Sequence, residues 1–232
     1  VMRCLDKLPL KKITLLAEKM ETQDEFEFAL DMGFELFQGY FFFKPEVIKG
    51  KDIPVFKITL LRILAEVNKK EFSFKKVEAL MSGDVSINYK LLKYINSAYY
   101  KRLQKINSVK HAIGLLGETN IRQFVSLFAI SRMSDNKPHV LLKTSCIRAK
   151  FCESLSGIST ISVSSQELFS LGMFSLLDAI LDLPMERVMD ELPLTDQLKS
   201  ALIDKEGILG DFLNVTIAYE HADWENTELL SN

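Results

Sequence analysis

Apolar residues recur along this chain with two different periods, and the change falls near residue 50. Up to that point the pattern is short and alternating. Lys12 to Met20 is an apolar run of strand length. Thr22 then caps a helix, with Glu25 three positions on as its capping-box partner, and Phe26, Ala29 and Leu30 lie at helical spacing before Gly33. Phe34 to Phe43 predicts a second strand, stopped by Pro45. Strand, helix and strand at these lengths make one βαβ unit, which demands parallel strands and leaves open edges if nothing else joins the sheet.

Beyond the linker EVIKGKDIP, the spacing is helical throughout. Phe56, Leu60, Ile63, Leu64 and Val67 predict one helix face, and Phe74 to Met81 a short second helix. Asp84 is a candidate N-cap for a helix carrying Ile87, Leu91, Leu92 and Ile95, with Lys90 and Lys93 on its wet side. Asn96 and Ser97 end that run, because their side chains compete for the backbone. Ser108 starts the next helix, Ala112, Ile113 and Leu116 line it, and Gly117 is read as its left-handed C-cap. Further helices are predicted around Ile121 to Phe128, His139 to Leu155, Gln166 to Leu181, Pro184 to Asp190, Thr195 to Ile203 and Gly207 to His221.

Composition narrows the function classes. The chain has 232 residues, 47% hydrophobic and 26% charged, with a formal net charge of -2. No global field favours nucleic acid or membrane, and no apolar run is long enough to span a bilayer. Cys4, Cys146 and Cys152 are sparse and odd in number, which fits a reducing compartment better than a disulfide framework. No signal peptide is evident, so a cytoplasmic location is expected. The initial valine suggests that the natural start lies upstream.

Two stretches resemble known families. AEKMET (Ala17 to Thr22), followed by Gln38-Gly39-Tyr40, resembles the end of an EAL domain, with Lys19 and Met20 where that family usually has glycine and valine. The family is a (β/α)8 barrel that hydrolyses cyclic di-GMP with two divalent metals. The resemblance implies that Glu21 matches an acidic position lining its active site and Gln38 one beside the bound nucleotide. The family's Glu-Ala-Leu signature, Asp-Asp pair and catalytic lysine belong to strands that this sequence does not contain. Glu21 and Gln38 are therefore expected to be vestigial here, since a two-metal hydrolase needs several converging carboxylates.

LLKYINSA, INSVKHAIGLLG, RAKFCE, LFSLGMFSLLDAIL and the closing YEHADWE resemble an HDOD domain, a relative of HD-type phosphohydrolases that lacks their metal ligands. Where the active relatives carry a His-Asp pair, Ser175 and Leu176 stand, so the resemblance implies no metal here. His111, His139 and His221 have no adjacent aspartate, and no Walker A, GxSxG or CxxC spacing occurs. Asp178, odd in an apolar helix, is expected to pair with Arg187 or a helix end.

The resulting expectation is a mainly α chain. Residues 1–48 would be a βαβ remnant of an EAL-type TIM barrel, 49–54 a linker and 55–232 a helical HDOD domain. The chain itself is expected to be no enzyme, to hold no cofactor, and to work through protein contacts in cyclic di-GMP signalling. Its contact surface would be Asn96, Tyr99, Tyr100, Lys101, Arg102 and Lys105. The βαβ unit is expected either to pack on the helical domain or to pair with a second copy, with cyclic di-GMP a ligand only of an intact barrel and no membrane partner. Two alternatives are an active phosphodiesterase whose catalytic residues lie upstream, and nucleic-acid binding through the basic stretch 90–110, which the slightly negative net charge disfavours.

Overall fold

The computed structural model describes residues 13–44, 53–69, 71, 73–82, 85–97, 106 and 108–225. Two compact units emerge, Val1–Pro45 and Glu46–Asn232.

In the first unit, β1 (Leu16–Met20) and β2 (Leu36–Gly39) pair in parallel, with Leu16 opposite Leu36 and Met20 opposite Gly39. Helix α1 (Gln23–Asp31) connects them. Its capping box forms as read: the Glu25 N–H donates to Thr22 Oγ1 and the Thr22 N–H donates to the Glu25 carboxylate. The Glu21 N–H, which donates to the same carboxylate at 2.7 Å, and the Thr22 N–H hold the Glu25 carboxyl below its usual range. Met20, Ala29 and Phe41 form a small core with Phe26 and Phe37 packed against it.

The second strand is shorter than its apolar run. Tyr40–Phe43 winds into a 3-10 turn. The cause lies at Gly39, where a Cβ would come 2.0 Å from the Met20 carbonyl oxygen, so the chains approach too closely for pairing to continue past a side chain. The turn then carries Phe41 over the sheet to stack on Phe26, with centroids 5.0 Å apart. Only a two-stranded parallel sheet is described; a barrel is not.

The second unit is helical in every described element. Its helices are α2 (Val55–Val67), α3 (Phe74–Ser82), α4 (Val85–Ile95), α5 (Val109–Met133), α6 (His139–Leu155), α7 (Ser165–Phe174), α8 (Leu177–Leu181), α9 (Met185–Asp190), α10 (Asp196–Ile203) and α11 (Gly207–Glu220). Leu60, Ile63, Leu64 and Val67 are buried as the spacing predicts, but Phe56 is exposed and Leu61 is buried instead. Asp84, the expected cap, lies outside the described residues.

Gly117 does have positive φ, at 73°, but ψ is 173° and the helix resumes at once. It is a kink inside α5 and not a terminus. The Asn120 side chain donates to the Leu116 carbonyl across the kink, at 2.8 Å. The predicted helix from Gln166 to Leu181 is broken at Ser175 and Leu176, giving α7 and α8. α7 lies very close to α6: a Cβ on Gly172 would sit 2.4 Å from the Arg148 carbonyl.

Candidate functional site

At the break between α7 and α8 the Ser175 hydroxyl donates to the Gly172 carbonyl at 2.8 Å and accepts from α6. Arg148, on α6, is buried and meets Ser175 from the other side, donating to its Oγ at 3.2 Å. The same guanidinium makes a two-pronged pair with Glu220 near the end of α11, at 2.8 and 3.2 Å. RAKFCE, the serine of GMFSLLD and the glutamate of YEHADWE therefore converge, although Arg148 and Glu220 are 72 residues apart. Planar, bidentate pairing of this kind is the strong form of charge-assisted hydrogen bond.

Cys152, one turn further along α6, is buried, with its Sγ 3.1 Å from Thr216 Oγ1. Burial raises its thiol above the ordinary value, and Cys146 is raised by the same cause, so neither is a thiolate nucleophile at neutral pH. Asp178 sits in the first turn of α8 and accepts from the Ala179 N–H at 2.8 Å. Burial pushes its carboxyl above the usual aspartate range, against the opposing pull of that N–H, of Arg148 and of Lys205. The helix-end part of the expectation is met.

Leu176 is buried and offers no ligand atom. Among the described residues no group of three His, Cys, Asp or Glu side chains could hold a metal ion. The donor set around Ser175 does not fit a divalent cation: the one hydroxyl already receives a hydrogen bond from a guanidinium, whose positive charge would repel the ion. Sequence reasoning singled out Ser175 but missed Arg148 and Glu220. The signal was present, since an arginine amid apolar spacing on α6 needs a buried partner.

The other expected surface begins at Asn96, directly after α4. Its side-chain amide donates to the Leu92 carbonyl at 2.7 Å and to the Ile106 carbonyl at 2.8 Å. Its side-chain oxygen accepts from the Ile106 N–H at 2.8 Å. Asn96 thus imitates a strand partner for Ile106 and fastens the two ends of the intervening segment. Tyr99, Tyr100, Lys101, Arg102 and Lys105 lie outside the described residues. Beside this clasp, Tyr94 stacks on Phe124 at 5.3 Å and the Lys90 ammonium lies 5.2 Å from the Phe128 ring centroid.

In the first unit, the register places Glu21, just after β1, and Gln38, just before the end of β2, at the same end of the strand pair. Both are exposed. Glu21 gives its N–H to Glu25 and its carbonyl to the Lys44 ammonium. Lys19, standing where the resembled family has glycine, has φ of 57° beside a register irregularity in the sheet. That is the left-handed region that glycine adopts without strain.

Comparison with known proteins matches residues 53–177 to the HDOD domain family. The chain is 38% identical over 213 residues to "Cyclic di-GMP phosphodiesterase CdgJ" of Vibrio cholerae, covering 92% of this chain and 49% of that protein. It is 34% identical over 223 residues to "Uncharacterized protein YuxH" of Bacillus subtilis, covering 95% of this chain and 54% of that one. The chain thus spans about half the length of these curated relatives. Among solved structures it is similar to an HDOD domain protein of unknown function from Geobacter sulfurreducens, with a TM-score of 0.45, 16% identity and coverage of 80% of this chain and 63% of that one. The reading of this chain as no enzyme does not survive the comparison, because a protein similar to it along 92% of its length carries an enzyme's name. A family match over more than half of the residues, together with the helical unit that carries it, makes this chain a member of the HDOD family.

Proposed function

We propose that this chain is part of a cytoplasmic cyclic di-GMP phosphodiesterase of bacterial signalling, in which residues 13–44 complete an EAL-type barrel and the HDOD domain couples that activity to a protein partner. The observation that carries the reading is the 38% identity to CdgJ along 92% of the chain. The parallel register supports it: Glu21 and Gln38 share the C-terminal end of the strand pair, the end where parallel barrels keep their chemistry. The open sides of that pair favour association with further strands or a second copy.

For the HDOD domain, the favoured contact surface is Asn96 to Lys105. Asn96 commits its side-chain amide to the Leu92 carbonyl and to both backbone groups of Ile106. The segment carries Tyr99, Tyr100 and Arg102, of residue types enriched in protein contacts.

Hydrolysis of cyclic di-GMP by the whole protein, with magnesium or manganese, tests the first half. Turnover is expected, and Glu21→Ala should lower kcat/KM by about tenfold or more, the loss of a ~1.4 kcal/mol transition-state contact. No turnover by the whole protein would sink the phosphodiesterase reading. For the second half, a Tyr99→Ala, Lys101→Glu double variant should lose partner capture; retained capture would move the contact elsewhere.

A further inference from the structure

A groove of about 740 Å³ opens where the segment before α7 meets the N-termini of α10 and α11. Leu209 lies buried along it, while Ile161 and Ile208 face solvent, 47% and 53% exposed. Three carboxylates surround this apolar surface: Glu167, Asp196 and Glu206. No Lys, Arg or His lines it. Each carboxylate is individually reasonable at the start of its own helix. Their convergence around exposed isoleucines is not a requirement of any one helix.

The chain carries the complement. From Val85 to Gly117 there are six basic residues, Lys90, Lys93, Lys101, Arg102, Lys105 and Lys110, and no Asp or Glu at all. Within it, Tyr99, Tyr100 and Leu103 are interleaved with Lys101, Arg102 and Lys105. An acidic apolar groove and a basic aromatic segment on one chain are complementary in charge and in hydrophobic character. We propose that the groove receives residues 98–105 of a second copy of this chain. This rests on the reading of Asn96 to Lys105 as a contact surface and names its partner. The contact is heterologous, head to tail, so each copy offers one groove and one segment.

Sedimentation velocity of the whole chain over a concentration series, at low and high salt, tests it. Self-association is expected at low salt and should weaken as salt rises. A groove variant (Glu167→Lys, Asp196→Lys, Glu206→Lys) and a segment variant (Lys101→Glu, Arg102→Glu, Lys105→Glu) should each lose it, with circular dichroism verifying that both remain helical. Mixed together, each variant's groove meets an oppositely charged segment on the other variant, so the mixture should associate although neither variant does so alone. A chain bearing both sets of changes should associate again, because the charges are exchanged. A wild-type chain that stays monomeric at low salt would overturn the proposal, as would a doubly changed chain that fails to associate. If the segment variant dissociates but the groove variant does not, the contact surface stands and the groove is not its partner. Association unaffected by either change would place it elsewhere, such as the βαβ unit, and overturn the proposal.

Discussion

Asp178 and Arg148 show two ways in which a charged side chain is kept in a helical core. Asp178 is held mainly by one backbone N–H, and burial leaves its carboxyl with a raised affinity for protons. A raised folded-state value means that the native state binds more protons than the unfolded one between the ordinary aspartate range and the folded value. Stability therefore falls as pH rises through that window and stays reduced above it. Asp178→Asn keeps an acceptor for the Ala179 N–H without the charge. It should raise Tm at pH 7, with the gain shrinking as pH falls toward the ordinary aspartate range. A lower Tm at pH 7 would mean that attraction to Arg148 outweighs burial. Arg148, by contrast, has a counter-charge in Glu220 and a further acceptor in Ser175. Arg148→Ala should cost about 3 kcal/mol in urea denaturation, because Glu220 loses its counter-charge, and Arg148→Met with Glu220→Leu should recover most of that.

At the scale of the element, glycines separate close packing from mere permissiveness. Gly172 lets α7 approach α6, and a methyl there would lie 2.4 Å from the Arg148 backbone. Gly172→Ala should therefore cost about 2–3 kcal/mol and disturb the Arg148 to Ser175 contact. Gly114, inside α5, has nothing within 4 Å of its would-be Cβ. Gly114→Ala should stabilise by about 0.5–1 kcal/mol, since only helix propensity changes. Thermal or urea melts of the two variants, expected to move in opposite directions, measure both. The buried Arg122 acts between elements: it pairs with Glu118 one turn away and donates to the Val67 and Lys69 carbonyls, closing the open end of α2.

Across the whole molecule, the two units differ in what holds them. The first has a single strand pair over three buried side chains. The second buries long runs of α5, α6 and α7, with Leu168, Leu171 and Phe174 fully inaccessible. Cooperative stability follows buried apolar area. Native-state hydrogen exchange should show β1 and β2 amides exchanging orders of magnitude faster than those of α6 and α7. Equal protection would mean that other contacts cover the sheet. None of the described helices is long and apolar enough to cross a membrane.

The sequence by itself determined where the period changes from strand to helix, most helix limits, the cap at Thr22 and the helix start at Ser108, because these depend on neighbours within four residues. It did not reveal the break at Ser175 and Leu176. LFSLGMFSLLDAILDL is apolar on every side, so no amphipathic rhythm marks an interruption. Nor could it place Phe41 in a 3-10 turn, which depends on how closely Gly39 meets Met20 across the sheet. The pairing of Arg148 with Glu220 and Ser175, and the meeting of Glu167, Asp196 and Glu206 around one groove, were decided only by the tertiary structure. Both join residues far apart in the chain, and local spacing carries no information about which distant charges will share a site.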